Sequence, residues 1–261
     1  MAKDTAYRSK DAGPDGRYAY TPDEDAVWGE LFDRQMTTLP GRMTPDYLDG
    51  VKKLGLTNAR VPQVADIDPR LAALTGAGVE GVPAIIPPKQ FFGLLAQRKF
   101  PIATFLRRRE EMDYIEEPDL FHEVFGHCPL LTNRPYADFV ERFGQTALSL
   151  PRGMNWQMFR LFWFTVEFGM IRTDEGLRAY GAGLASSPSE LENAFSGRAE
   201  MRDFDLMEVL RTPYRIDIVQ PVYFVIDSFE QLAGLLDADI AGAVARAKEL
   251  GDLPPAFDPA A

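Results

Sequence analysis

The stretch Asp119-Leu120-Phe121-His122-Glu123-Val124-Phe125-Gly126-His127-Cys128-Pro129-Leu130 holds both histidines of a 261-residue chain. Any imidazole chemistry the protein performs therefore happens at this motif. Glu167 follows 40 residues after His127 (167 − 127), inside the apolar run Phe162-Trp163-Phe164-Thr165-Val166-Glu167-Phe168-Gly169. Burying an unpaired carboxylate in such a run costs several kcal/mol or forces protonation, so Glu167 needs a partner. Two imidazoles and one carboxylate are the ligand set of a ferrous facial triad, which leaves coordination positions open. Zinc, manganese and cobalt also take nitrogen and oxygen donors, so residue types alone leave the metal undecided.

The spacing narrows the chemistry. H-E-x-x-H puts two imidazoles on one face of an α-helix and, with its Glu as general base, marks zinc peptidases. Here the second His is five along, about 140° further round an α-helix. Both rings reach one metal if the helix stops between them. Gly126 suits a left-handed terminus and Pro129 cannot continue a helix, so the sequence predicts a helix over 118–125 with His127 on the next turn. The same spacing argues against a zinc hydrolase using Glu123 as base. A neutral imidazole ligand needs its second nitrogen held. Asp119, three residues before His122 and so on the same helical face, is the candidate. A carboxylate near a helix N-terminus is favoured in any case, and the two roles are compatible. Cys128 beside Pro129 reads as a small buried filler rather than a ligand.

Composition excludes several classes. With a net charge of −11 and a pI near 4.8, nucleic-acid binding through a basic surface is not expected. The cluster Arg107-Arg108-Arg109 is followed at once by Glu110 and Glu111, so it is no polybasic tract. A single Cys rules out an intramolecular disulfide and suits a reducing, cytoplasmic setting. The N-terminus lacks an apolar signal core, and no apolar run reaches the about 18 residues a membrane span needs. At 29.2 kDa and 46% hydrophobic residues, the chain can bury one sizeable core.

Outward from the motif, helix signals dominate. Thr21-Pro22-Asp23-Glu24 is a capping box with Pro at the first helical position, opening a helix to about residue 39. Thr44-Pro45 and Asp68-Pro69 repeat the cap-then-Pro signal, and Pro87-Pro88 starts a further helix with Phe91, Phe92, Leu94 and Leu95 on its apolar side. Residues 100–106 read as extended, with helices near 136–149, 155–171, 189–195 and 203–210. The alternation Tyr214-Arg215-Ile216-Asp217-Ile218 opens a strand over 214–226, and Ser228 caps a last helix to about residue 250. The expected fold is mainly α with a few short strands (α+β), without the β-α alternation of a parallel-sheet fold. The expected organisation is an N-terminal arm at 1–20, one catalytic domain at 21–250 and a C-terminal tail at 251–261.

The 119–130 motif, together with Trp163-Phe164-Thr165-Val166-Glu167-Phe168-Gly169, closely resembles the tetrahydropterin-dependent aromatic amino acid hydroxylases. Tyr180-Gly181-Ala182-Gly183-Leu184, then Ser186-Ser187, and Gln220-Pro221-Val222-Tyr223 match further family blocks in the same order. The similarity covers about residues 20–250 and is nearest to compact bacterial members acting on phenylalanine. It implies a non-haem Fe(II), tetrahydropterin-dependent monooxygenase (tetrahydrobiopterin or a relative) converting L-phenylalanine to L-tyrosine with O₂. Tyrosine or tryptophan hydroxylation is the nearest alternative. It implies iron on His122, His127 and Glu167, and Arg107 on the substrate carboxylate. A guanidinium fork suits that task, fixing orientation as well as charge. Pro118, Trp163, Phe168 and Ser186 match substrate-pocket positions, Phe91 the residue stacking on the pterin, and Ile86 and Glu123 other pterin-side positions. Phe162 stands where many members have a Tyr near the iron, and Ile115 where animal members acting on phenylalanine have a Thr near the substrate amino group. The chain has no room for the regulatory domain of animal members and lacks their tetramerisation helix, so a monomer is expected.

Overall fold

The structure, a computed structural model, describes residues 7, 9–83, 85–151 and 153–258. Of the arm and tail expected from sequence, residues 1–6, 8 and 259–261 lie outside the described part. Helix α1 (Pro22–Thr38) starts as its capping box dictates: Thr21 accepts from Glu24 N, and Glu24 reaches back to Thr21 N at 2.7 Å. Helix α2 (Pro45–Lys53) opens on a simpler cap, Thr44 Oγ1 accepting from Tyr47 N at 3.3 Å. Helix α3 spans Val64–Thr75, so it begins four residues before the Asp68-Pro69 signal and carries Pro69 inside it. Ile67 and Leu71, both buried, draw this stretch onto the core, and Asp68 accepts from Val79 N at 2.8 Å instead of capping a helix.

Strands β1 (Gly78–Val82) and β2 (Lys99–Ala103) pair in parallel, with α4 (Pro88–Leu95) crossing between them. The extended run expected at 100–106 thus leaves the sheet after Ala103. A β-α-β unit therefore stands here where no such alternation was expected, because Phe100 and Ile102 are buried on a two-stranded ribbon too short for a periodic signal. Helix α5 (Arg134–Ser149) packs against α4; α6 (Asn155–Phe162) leads toward Glu167. Strands β3 (Met170–Thr173), β4 (Gly176–Ala179), β5 (Glu200–Asp203) and β6 (Val222–Ile226) make a second sheet in the order β4-β3-β6-β5. Short helices α7 (Ala182–Ser186), α8 (Pro188–Phe195) and α9 (Leu206–Arg211) connect its strands. The result is helix-dominated with two small sheets, as the sequence indicates.

Two further expectations give way. Residues 214–218 are not a strand: Ile216 is 64% exposed, and the carbonyls of Arg215 and Ile218 accept from Gln220 Nε2, each at 3.0 Å. A side chain satisfies the backbone where a ladder was expected. The last helix is broken into α10 (Phe229–Gly234) and α11 (Ile240–Leu250), because Asp239 accepts from Gly242 N and forms a fresh N-cap. The arm's Tyr7 stacks on Phe105 at 4.8 Å, and Lys10 N donates to Thr104 Oγ1 at 3.0 Å along the segment after β2, while Arg17 and Tyr18 bond Asp66 and Gln63 at the start of α3.

Candidate metal centre

Two π-helical turns build the site. The first runs Phe121–His127, the second Trp163–Glu167. The expected helix end at Gly126 does not occur; the helix widens instead. A π-helix bonds i to i+5, so residues five apart share a face, which is what His122 and His127 need. Pro129 contributes differently from expectation too. It has no N–H to return to Phe125 O, and Tyr47 Oη donates to that carbonyl at 2.5 Å. Phe121 and Phe125 stack at 4.9 Å, and Trp28 meets Phe121 edge-on at 5.2 Å, so the outer side of the turn is bedded in aromatics. Gly126 has ordinary negative φ; its role is close approach, since a Cβ there would stand 2.9 Å from Ala182 O on α7.

The donor atoms converge. His122 Nε2 and His127 Nε2 are 3.1 Å apart. Glu167 Oε2 lies 3.4 Å from the first and Oε1 3.2 Å from the second. The tautomer of His122 follows from its other neighbour. Ser186 Oγ donates to Ala182 O at 2.8 Å, so it accepts from His122 Nδ1 at 2.8 Å. Nδ1 therefore keeps its proton, and when the ring is neutral Nε2 presents a lone pair to the centre. Asp119 therefore does not hold the imidazole, contrary to the sequence expectation. Its Oδ1 accepts from His122 N at 3.1 Å, while the carboxylate binds Arg107 N, Nε and Nη2 at 2.9, 2.9 and 2.8 Å. Buried His127 Nδ1 has no hydrogen-bond partner among the described residues; that ring is oriented by packing, stacked on Phe100 at 4.3 Å.

Electrostatics agree with a cation site. Burial works against protonated His122, but the Glu167 carboxylate beside it outweighs this and pushes its pKa up to about 9. Burial would raise Glu167, yet His127 and His122 hold it well below the usual carboxylate range. Burial lowers His127. Glu123 is raised to about 8 by burial, against the pull of His122 and with the Glu167 charge adding to it. His122, Glu123 and His127 also fall within 4.8 Å of one another, so Glu123 is a rival carboxylate. We favour Glu167: it touches both rings, whereas Glu123 Oε2 is 3.9 Å from His127 Nε2. Without a metal, protonated His122 shares its Nε2 proton with Glu167; once that proton is displaced, two imidazole lone pairs and a carboxylate meet at one point, so the donor set fits a divalent metal. An N₂O set with an open side suits iron.

The neighbouring residues fall into place around it. Arg107 is buried, its Nε/Nη2 edge paired with Asp119 and its guanidinium 5.6 Å from the Phe121 ring. Burial opposes the charges, but each partner stabilises the other: Asp119 is lowered and Arg107 raised. Trp163 packs on Phe168 at 4.6 Å and stacks on Tyr214 at 4.5 Å. Half-buried Phe91 on α4 meets Phe162 at 5.3 Å, and Phe162 lies 6.2 Å from His127. Ile86 is half-buried before α4, Ile115 half-buried, and Pro118 exposed. Sequence reading placed Ser186 in the pocket but missed its hold on His122; it also missed Tyr214 and Gln220. A lone Ser or Gln carries no periodic signal, and only the folded geometry brings them to the motif.

The fold and site define a non-haem metal protein whose donor cluster is bordered by aromatic side chains. A family profile for biopterin-dependent aromatic amino acid hydroxylases matches residues 1–241, and the chain belongs to that family. It is thus an iron- and pterin-dependent monooxygenase. The phenylalanine-4-hydroxylase of Pseudomonas aeruginosa is 44% identical over 257 residues, 98% of each chain. The solved phenylalanine hydroxylase of Legionella pneumophila superposes with a TM-score of 0.93 at 46% identity, over 96% of this chain and 100% of that one. That of Chromobacterium violaceum with bound Fe(III) superposes at 0.88 and 39% identity, over 92% and 87%.

Proposed function

We propose that this enzyme converts L-phenylalanine and O₂ to L-tyrosine, with a tetrahydropterin as the second reductant and Fe(II) on His122, His127 and Glu167. The observation that carries the reading is the convergence of the three donors at 3.1–3.4 Å, with Ser186 fixing the tautomer of His122. Bound iron and reduced pterin supply the activation of O₂ that aromatic hydroxylation requires. The protein's residues bind, orient and dry the site. Trp163 and Phe168 wall the substrate ring and keep out water. Arg107 takes the substrate carboxylate through N–H groups other than the pair held by Asp119. Pro118 borders the pocket, and Ser186 serves it through His122. Phe91 would stack on the pterin, with Ile86 and Glu123 beside it. A neutral Glu123 would suit that place, since a carboxyl can donate as well as accept.

We assign the domain to residues 21–250, between the arm and the tail, and a cytoplasmic monomer as the working form. Among the described residues no helix is long and apolar enough to cross a membrane, and the single Cys128 is buried and suits a reducing compartment. Sedimentation at 29.2 kDa checks the monomer. The activity is tested with Fe(II), a tetrahydropterin, O₂ and each aromatic amino acid. Tyrosine formed in step with pterin oxidation is expected, fastest with phenylalanine. Near wild-type turnover in His122→Ala or Glu167→Ala would sink the ligand assignment.

A further inference from the structure

Gln220 lies in a block the proposed chemistry does not use, yet it is 1% exposed and its polar groups are fully engaged. Its Oε1 accepts from Trp163 Nε1 at 2.9 Å. Its Nε2 donates to Arg215 O and Ile218 O, both at 3.0 Å. Its backbone N donates to Glu190 Oε2 at 3.3 Å, and its carbonyl accepts from Asn193 Nδ2 at 2.8 Å. Tyr223 Oη donates to the same Glu190 oxygen at 2.8 Å, which anchors the network to β6. Tyr214, at the start of the loop that Gln220 ties down, stacks on Trp163 at 19° between planes.

We propose that Gln220 is a positioning residue for the amino acid pocket, setting the Trp163 indole and with it the room left for the substrate ring. The proposal rests on the reading that Trp163 walls that pocket. Two constraints of different kind act on the indole. Packing against Tyr214 and Phe168 limits the plane of the ring but singles out no atom on its edge. The indole's one N–H is directional, and bonding to a buried acceptor fixes that edge. A carboxamide is the side chain the place requires. It accepts from the indole with one atom and donates to two carbonyls with the other. A carboxylate keeps the first contact but faces the carbonyls with no donor, and an apolar side chain leaves all three groups unpaired. The amide thereby makes the 214–220 loop and the pocket wall one unit, and a wall held this way discriminates ring sizes by position rather than by softness.

The test is a double-mutant cycle on the iron-loaded enzyme. Gln220→Met should raise the KM for phenylalanine about tenfold, the size of one lost buried hydrogen bond, with the pterin KM and iron content unchanged. The ratio of tryptophan to phenylalanine turnover should also shift. Trp163→Phe has no N–H, so in that background Gln220→Met should add less than about twofold to the phenylalanine KM. Additive effects, or equal rises in both KM values, overturn the proposal in favour of a merely structural glutamine. Should Gln220→Met fold poorly, ¹⁵N-indole labelling of the unmutated protein decides. The Trp163 N–H should exchange with solvent far more slowly than that of Trp156, which is 59% exposed, and should shift when phenylalanine is added. Exchange as fast as at Trp156, or no response to phenylalanine, overturns it. Tyrosine formation by the same unmutated protein reports separately on the proposed function.

Discussion

Replacing Ser186 by Ala removes one oxygen, and the structure says what that does to the metal. Ser186 Oγ is the acceptor for His122 Nδ1–H, at 2.8 Å, in a buried position. Without it the N–H is buried and unpaired, which costs about 1–3 kcal/mol. The ring escapes that cost by moving its proton to Nε2, the atom that must bind the metal, or by turning away. Either route weakens the metal by a similar amount, and about 1.4 kcal/mol is tenfold, so Fe(II) affinity should fall roughly 10- to 100-fold. Ser186 also donates to Ala182 O within α7, so a small loss of stability accompanies the change. The assay is competition for Fe(II) against a chelator of known affinity, with melting of the metal-free protein as control. Ser186→Thr, which keeps a hydroxyl, should recover much of the affinity. Iron affinity within twofold of wild type in Ser186→Ala would refute the tautomer argument.

Three other perturbations test separate parts of the structure. Arg107→Ala should raise the KM for the amino acid far more than that for the pterin, and should lower stability by about 3–5 kcal/mol because buried Asp119 loses its counter-ion; denaturant melts measure the second effect, and an unchanged midpoint argues against the pair. The metal-free protein should bind Fe(II) more tightly as pH rises toward 9, since the metal must displace a proton from His122, raised to about 9, and a flat profile between pH 6.5 and 9 contradicts this. The His122 shift stabilises the metal-free fold fully below pH about 6.5 and is lost as pH rises through about 9, whereas the lowered Glu167 stabilises above its unfolded value and is lost in acid. Metal-free melting temperature should therefore decline from pH 6.5 to 9. Gly126→Ala forces a methyl to 2.9 Å from Ala182 O and should cost about 1–3 kcal/mol and loosen iron, read from melting and metal content.

The three candidate donors were legible without any fold, because two histidines in one motif and a carboxylate stranded in an apolar run leave few other uses, and the structure brings their donor atoms within 3.4 Å of one another. The capped starts of α1 and α2 were legible for a local reason: Thr21 and Thr44 meet backbone groups within three residues of themselves. Where tertiary packing competed with a local signal, packing won. Asp68-Pro69 looks like a helix start, but the burial of Ile67 and Leu71 began α3 earlier. Alternation at 214–218 looks like a strand, but Gln220 took up its carbonyls. The five-residue spacing of the histidines posed the right question and suggested the wrong answer. The helix does not end; it widens into a π-turn, and i+5 spacing becomes a shared face. That choice depends on Tyr47 reaching Phe125 O and on α7 pressing against Gly126, contacts between residues 78 and 56 positions apart (125 − 47 and 182 − 126). Sequence determined which atoms can bind the metal, since donor chemistry belongs to residue type. Only the tertiary structure decided how they are aimed, with Ser186 rather than Asp119 holding His122 and Asp119 pairing with Arg107, because a hydrogen bond's partner is set by distance in space.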